Sequence, residues 1–72
     1  MKYIFRGITI FEYIPEKRFD NVILHRHHDN NIIAFNYCQM IAEDYKLLSQ
    51  FFDTVYKHLQ GENVELKDII VN

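Results

Sequence analysis

The residues of this chain that are best suited to chemistry form a histidine-rich run. His25, His27 and His28 lie within the segment HRHHD, and the single cysteine, Cys38, follows on the C-terminal side. On a strand, His25 and His27 point to the same side about 7 Å apart, close enough to share a divalent metal ion when a third ligand joins. His28, or Cys38 as a thiolate, would complete that set. One hypothesis is therefore a metal-binding protein or a metal-dependent hydrolase or nuclease.

Other features of the sequence favour a protein without catalytic residues. The spacing of the histidines matches no established zinc signature, so solvent-exposed histidines on a half-buried hairpin are the simpler interpretation. Gly7 and Gly61 are the only glycines, which leaves no glycine-rich phosphate loop. Ser49 lies inside a predicted helix without the turn that exposes a nucleophile. We therefore expect no enzyme activity and no cofactor other than the metal of that alternative.

A predicted β-hairpin must position these histidines. The runs Val22–His27 and Ile32–Tyr37 bracket HDNN, which predicts strands over about 21–28 and 32–38, and the Asn residues of this loop tolerate the left-handed conformations of tight turns. A loop with an even number of residues is favoured, because an odd number would place apolar and polar side chains on the same face of the hairpin. It gathers the apolar side chains on one face, namely Val22, Leu24, Ile33, Phe35 and Tyr37. His25, His27 and Cys38 then share the opposite face.

The N-terminal segment carries an aromatic stripe. Residues 2–14 are β-branched and aromatic, which predicts one strand, with Gly7 as a site for a bulge. Alternation places four aromatic side chains on one face: Tyr3, Phe5, Phe11 and Tyr13. Such a stripe is able to stack nucleic-acid bases, but the formal charge of −2 and the scattered basic groups argue against nucleic acid. We predict that it contacts a protein partner.

One long helix is predicted over 41–60. Spacings of 4, 3, 4, 3 and 4 define its buried stripe, which comprises Ile41, Tyr45, Leu48, Phe52, Val55 and Leu59. Leu47, Phe51 and Tyr56 widen that stripe toward half the circumference. Gly61 marks the end of the helix, while Asn36 as an N-cap with Gln39 three residues later is the alternative start.

The C-terminal tail suits either of two structures. Leu66, Ile69 and Ile70 fit a short helix capped by Asn63, whereas the closing IIV also suits a strand. We favour the short helix.

Length and composition complete the prediction. The 72 residues allow a single small domain, and 49% hydrophobic and 15% aromatic content exceeds what so small a core needs. We predict an α+β fold, a three-stranded antiparallel meander packed on one long helix. The predicted function is a non-catalytic protein-binding module, such as an accessory, inhibitor or antitoxin-like factor of phage or mobile-element origin. We expect this module to form a homodimer. We also expect it in the reducing cytoplasm, since Cys38 is the only cysteine and no apolar run is long enough for a membrane span.

Overall fold

A four-stranded sheet and one long helix make up the structure, a computed structural model that describes residues 1–17, 21–24 and 40–72. In chain order the elements are β1 (Lys2–Phe5), β2 (Ile8–Tyr13), β3 (Val22–Leu24), α1 (Ala42–Leu59) and β4 (Ile69–Val71). The strand order is β3-β2-β1-β4, with β4 parallel to β1 and the other pairs antiparallel. The predicted α+β class is confirmed, but the sheet is mixed and has one strand more than the predicted meander.

The predicted first strand is a hairpin rather than one continuous strand. Phe5 pairs with Ile8, so Arg6 and Gly7 form a two-residue turn, and both have positive φ (49° and 83°). Two successive positive φ values define the turn type that matches the twist of antiparallel strands. Glycine adopts this conformation without steric cost, which is why the chain reverses at Gly7. The prediction of a bulge at Gly7 was therefore wrong.

A bulge instead lies in β2. Tyr3 pairs with Phe11 while Ile4 pairs with Thr9, so Ile10 is the extra residue between them. The hairpin turn shifts the alternation of side chains by one position and the bulge shifts it back. Because the two shifts compensate, Phe11 remains on the same face as its cross-strand neighbour Tyr3, as the sequence predicted.

The C-terminal tail ends in a strand, and the favoured short helix was wrong. Ile69, Ile70 and Val71 pair in parallel with β1, and Val71 O also accepts a hydrogen bond from Arg6 N–H at 2.7 Å. Three consecutive β-branched residues suit this pairing better than a helix. The pairing supplies β1 with hydrogen bonds on its second side, which a helix would not provide.

Local hydrogen bonds set both ends of α1 within one residue of the prediction. At the start, the carboxylate of Asp44 accepts the Ile41 N–H at 3.0 Å, and Asp44 N–H donates to Ile41 O at the same distance. At the end, Gly61 has φ +84° and donates to His58 O, while Glu62 N–H donates to Lys57 O. These two bonds form the glycine-terminated cap expected at Gly61.

The core lies between the sheet and one side of α1. Its buried members are Tyr3, Phe5, Ile10, Tyr13, Phe51, Val55 and Val71. Val22 and Leu24 of β3 pack against this core as predicted, whereas Phe35 and Tyr37 lie outside the described residues. Within the described ranges, no helix is long and apolar enough to cross a membrane.

Candidate protein-binding surface

The aromatic stripe predicted to bind a partner belongs to the core of this chain. Tyr3, Phe5 and Tyr13 are buried, at most 5% exposed, and Phe11 is partly buried against them. Tyr3 and Phe11 each contact the ring of Phe51 on α1, at centroid distances of 6.3 and 6.2 Å. Tyr3, Phe11 and Tyr13 therefore pack against α1, and Phe5 is buried in the same core, so this stripe leaves little side-chain surface for a partner.

The side of α1 that meets the sheet differs from the predicted stripe. Asp44, Phe51 and Val55 are buried and His58 is partly buried; we call these four residues the inner face. Of the six residues in the predicted stripe, Val55 is buried and Leu48 packs partly buried against the core, and of the three that widen it Phe51 is buried and Leu47 packs against the core. The buried side is thus rotated around the helix axis from the one that apolar spacing alone selects.

Two tyrosines of the sheet bond to α1 near its two ends, one at the main chain of Asp44 and one at the ring of His58. Tyr3 OH donates to the main-chain oxygen of Asp44 at 3.2 Å. Tyr13 OH lies 2.7 Å from Nδ1 of His58, and the two rings meet edge to face. Buried polar groups are tolerated when they are hydrogen-bonded. One tyrosine therefore contacts each end of α1, and together they fix which side faces the sheet.

The rotation leaves a second apolar side of α1 exposed to solvent. Its large side chains are between 41% and 66% exposed, and we call them the outer stripe: Ile41, Tyr45, Phe52, Tyr56 and Leu59. At 3.6 residues per turn, these residues lie roughly 100° around the helix axis from Phe51. The outer stripe runs the whole length of α1, about 27 Å at 1.5 Å per residue.

Phe52 connects the outer stripe to the core. Its ring contacts those of Phe11 and Phe51 at centroid distances of 5.2 and 5.3 Å, both edge to face. These contacts hold the Phe52 ring in one orientation while 41% of the residue remains exposed. A large apolar group that is already ordered loses little conformational freedom on binding, which suits a contact residue.

A polar flank borders the outer stripe on the side away from the sheet. Asp53 and Lys57 form an i, i+4 ion pair at 3.1 Å, and Lys46 lies two turns before Asp53. The hydrogen bond that Lys57 donates to Asp53, together with the negative charge of Asp53, raises the pKa of Lys57 above its ordinary value. A contiguous apolar patch with a polar rim is typical of protein–protein interfaces.

The predicted metal ligands are not placed by this structure. His25, His27, His28 and Cys38 all lie outside the described residues, so the metal hypothesis remains a prediction. In the described ranges, no group of three or more His, Cys, Asp or Glu side chains is arranged to hold a metal ion.

Sequence reasoning missed Asp44 and His58 as structural contacts. A signal was present, because Asp44, Phe51, Val55 and His58 follow one another at spacings of 7, 4 and 3, which places them on one side of a helix. The polar character of its two end members hid this pattern from a reading based on apolar residues.

We compared the chain with protein-family models, with curated proteins and with solved structures. It matches none of the three.

Proposed function

We propose that this chain is a non-catalytic protein-binding module that works as a homodimer, and that its two copies meet through the outer stripe. The observation that carries the proposal is the exposure of five large apolar side chains along one side of α1. Small monomeric proteins rarely expose a continuous apolar patch of this kind, and aromatic residues are enriched at interfaces. An accessory, inhibitor or antitoxin-like role of phage or mobile-element origin fits such a module.

Energetic reasoning supports self-association. Burial of a whole Leu, Ile or Phe side chain contributes about 1.5–3 kcal/mol, and about half of each outer-stripe residue is still exposed. Each contact made by one copy is repeated by the other in a two-fold dimer, so the gain is doubled. A chain of 72 residues also has a small core, and dimerisation would add to its stability.

The other partner classes have less support. Tyr3 and Tyr13 are covered by α1, so bases cannot stack on them in this fold. The formal charge of −2 gives no general attraction for phosphates. A cytoplasmic setting is consistent with Cys38 as the only cysteine, because one cysteine forms no intrachain disulfide.

Substitution of the two tyrosines of the outer stripe tests the proposal. Tyr45 and Tyr56 are both 60% exposed, so the double variant Tyr45→Lys/Tyr56→Lys adds charge to the proposed interface without touching the core. We expect sedimentation equilibrium to give a dimer for the native chain and a monomer for this variant.

The matched control adds the same charge elsewhere on the surface. Gln50 lies on the opposite side of α1 from the outer stripe and Asn63 follows the helix, and both are exposed. The variant Gln50→Lys/Asn63→Lys should remain dimeric. A native chain that is monomeric at all concentrations, or a Tyr45→Lys/Tyr56→Lys variant that dimerises like the control, would overturn the proposal.

A further inference from the structure

We infer that the two copies pair helix α1 against helix α1 in antiparallel orientation, with the two-fold axis crossing the outer stripe at the level of residue 50 along the helix. This inference rests on the proposed function, since it specifies how the outer stripe meets its own copy. It goes further in fixing the direction and the register of the contact.

The spacing of the outer stripe is nearly symmetric about the middle of the helix. Ile41 and Leu59 are equidistant from Gln50, and Tyr45 and Tyr56 are equidistant from it to within one residue. An antiparallel two-fold axis at this level therefore sets Ile41 against the partner's Leu59 and Tyr45 against the partner's Tyr56. A two-fold interface requires a self-complementary surface, and four of the five stripe residues meet that condition as two pairs, while Phe52 lies two residues from the level of the axis.

The same axis brings opposite charges together on the polar flank. In an antiparallel pair the two-fold axis is perpendicular to both helices. Each flank of one helix then lies beside the same flank of its copy, and the two chains run in opposite directions. Lys46 precedes Gln50 by about as many residues as Asp53 follows it, so Lys46 lies level with the partner's Asp53. Each dimer then contains this pair twice, at the edge of the apolar contact where charged pairs favour one register over others.

A parallel pairing of the same helices lacks this match. Its two-fold axis runs along the helices and sets the polar flank of one copy beside the opposite flank of the other. On that opposite flank lies Leu48, which is partly buried against the core. Lys46 and Asp53 would then lose water against apolar side chains without gaining a partner, which costs free energy.

Disulfide cross-linking of the full chain distinguishes the two directions. The background is Cys38→Ser, which removes the native thiol, and a cysteine is placed at one end of α1 in each of two proteins, Ile41→Cys and Leu59→Cys. Both positions are more than half exposed, so neither change should disturb the fold. A disulfide needs Cα atoms within about 7 Å, whereas antiparallel Ile41 positions would lie about 27 Å apart.

We expect each cysteine protein alone to give no cross-linked dimer in a thiol–disulfide redox buffer. A mixture of ¹⁵N-labelled Ile41→Cys and unlabelled Leu59→Cys should give the mixed disulfide, identified by mass. An Ile41→Cys protein that cross-links to itself would overturn the antiparallel arrangement while leaving the proposed function intact. A dimer in which none of these pairs cross-links would overturn the arrangement and move the interface away from the outer stripe.

Charge reversal provides an independent measurement of the register. We expect Lys46→Glu alone and Asp53→Lys alone to weaken dimerisation about tenfold each, because two attractive pairs become repulsive in each dimer. The double variant should restore the native dissociation constant to within about threefold. Additive weakening in the double variant, or single variants that dimerise like the native chain, would show that Lys46 does not face the partner's Asp53.

Discussion

The inner face and the outer stripe of α1 both present large apolar side chains, but they differ in what holds them. On the inner face, Phe51 and Val55 are buried between two polar residues, Asp44 and His58, each of which meets a tyrosine of the sheet. In the outer stripe, the Phe52 ring contacts the rings of Phe11 and Phe51, and all five residues remain between 41% and 66% exposed. Apolar content alone thus does not determine which side of a helix packs.

Apolar residues cover about half the circumference of α1, so burial of apolar surface does not by itself decide which side packs on the sheet. Hydrophobic burial is not directional, so either side of α1 would satisfy it. Hydrogen bonds are directional, and the buried hydroxyls of Tyr3 and Tyr13 need partners. The inner face supplies both partners, and the outer stripe remains for another protein surface.

The largest expected difference between the two sides concerns their adjacent phenylalanines. Phe51→Ala removes a fully buried ring and should lower the free energy of unfolding by about 3–5 kcal/mol. The milder Phe51→Leu, expected to cost about 1 kcal/mol, provides a measurable variant if Phe51→Ala does not fold. Phe52→Ala should cost less than Phe51→Ala in dilute solution. Urea unfolding measures all three.

Protein concentration sharpens this comparison. A dimer is stabilised by mass action, so the unfolding midpoint of the native chain should rise with concentration. The deficit of Phe52→Ala relative to the native chain should grow with concentration, because this variant loses dimer contacts. A constant deficit for Phe52→Ala over a hundredfold range of concentration would show that Phe52 acts only in the core.

The tyrosine hydroxyls provide a second, smaller test. Tyr13→Phe removes the hydrogen bond to His58 Nδ1 and should lower the free energy of unfolding by about 1–2 kcal/mol. Tyr56→Phe is the matched control on the outer stripe, where Tyr56 is 60% exposed, and it should change stability by less than about 0.5 kcal/mol. Equal costs for the two variants would contradict the role given to Tyr13 in orienting the helix.

The smallest expected change in stability is that caused by a polar substitution in the outer stripe when the protein is monomeric. Tyr56→Gln should leave the free energy of unfolding within about 0.5 kcal/mol of the native value when both proteins are dilute enough to be monomeric. A large loss of stability under those conditions would show that the outer stripe supports the fold of a single chain.

Local signals in the sequence predicted the helix and its ends well. Gly61 supplies the left-handed residue that ends α1, and Asp44 in the first turn bonds back to Ile41. Both interactions lie within a few residues along the chain, where a single sequence is most informative. The α+β class followed from the contrast between the β-branched N-terminal part and this helix.

The remaining features depend on contacts between distant parts of the chain. The turn at Arg6 and Gly7 lacks the Asn-Gly signature of such hairpins, so residues 2–14 read as one strand. The tail forms β4 only because β1 is available to pair with it. Tyr3 and Tyr13, more than forty residues earlier in the chain, bond to the main-chain oxygen of Asp44 and to the His58 ring and so hold that side of α1 against the sheet. No local pattern specifies those tyrosine partners.

Native mass spectrometry of the purified full chain tests the central claim most directly. One spectrum reports both the oligomeric state and any bound metal. The account predicts a metal-free species of twice the 8.8 kDa chain mass, with a monomer fraction that grows on dilution. A monomer at every concentration, or a monomer heavier by one metal ion, would contradict it and direct attention to His25, His27, His28 and Cys38.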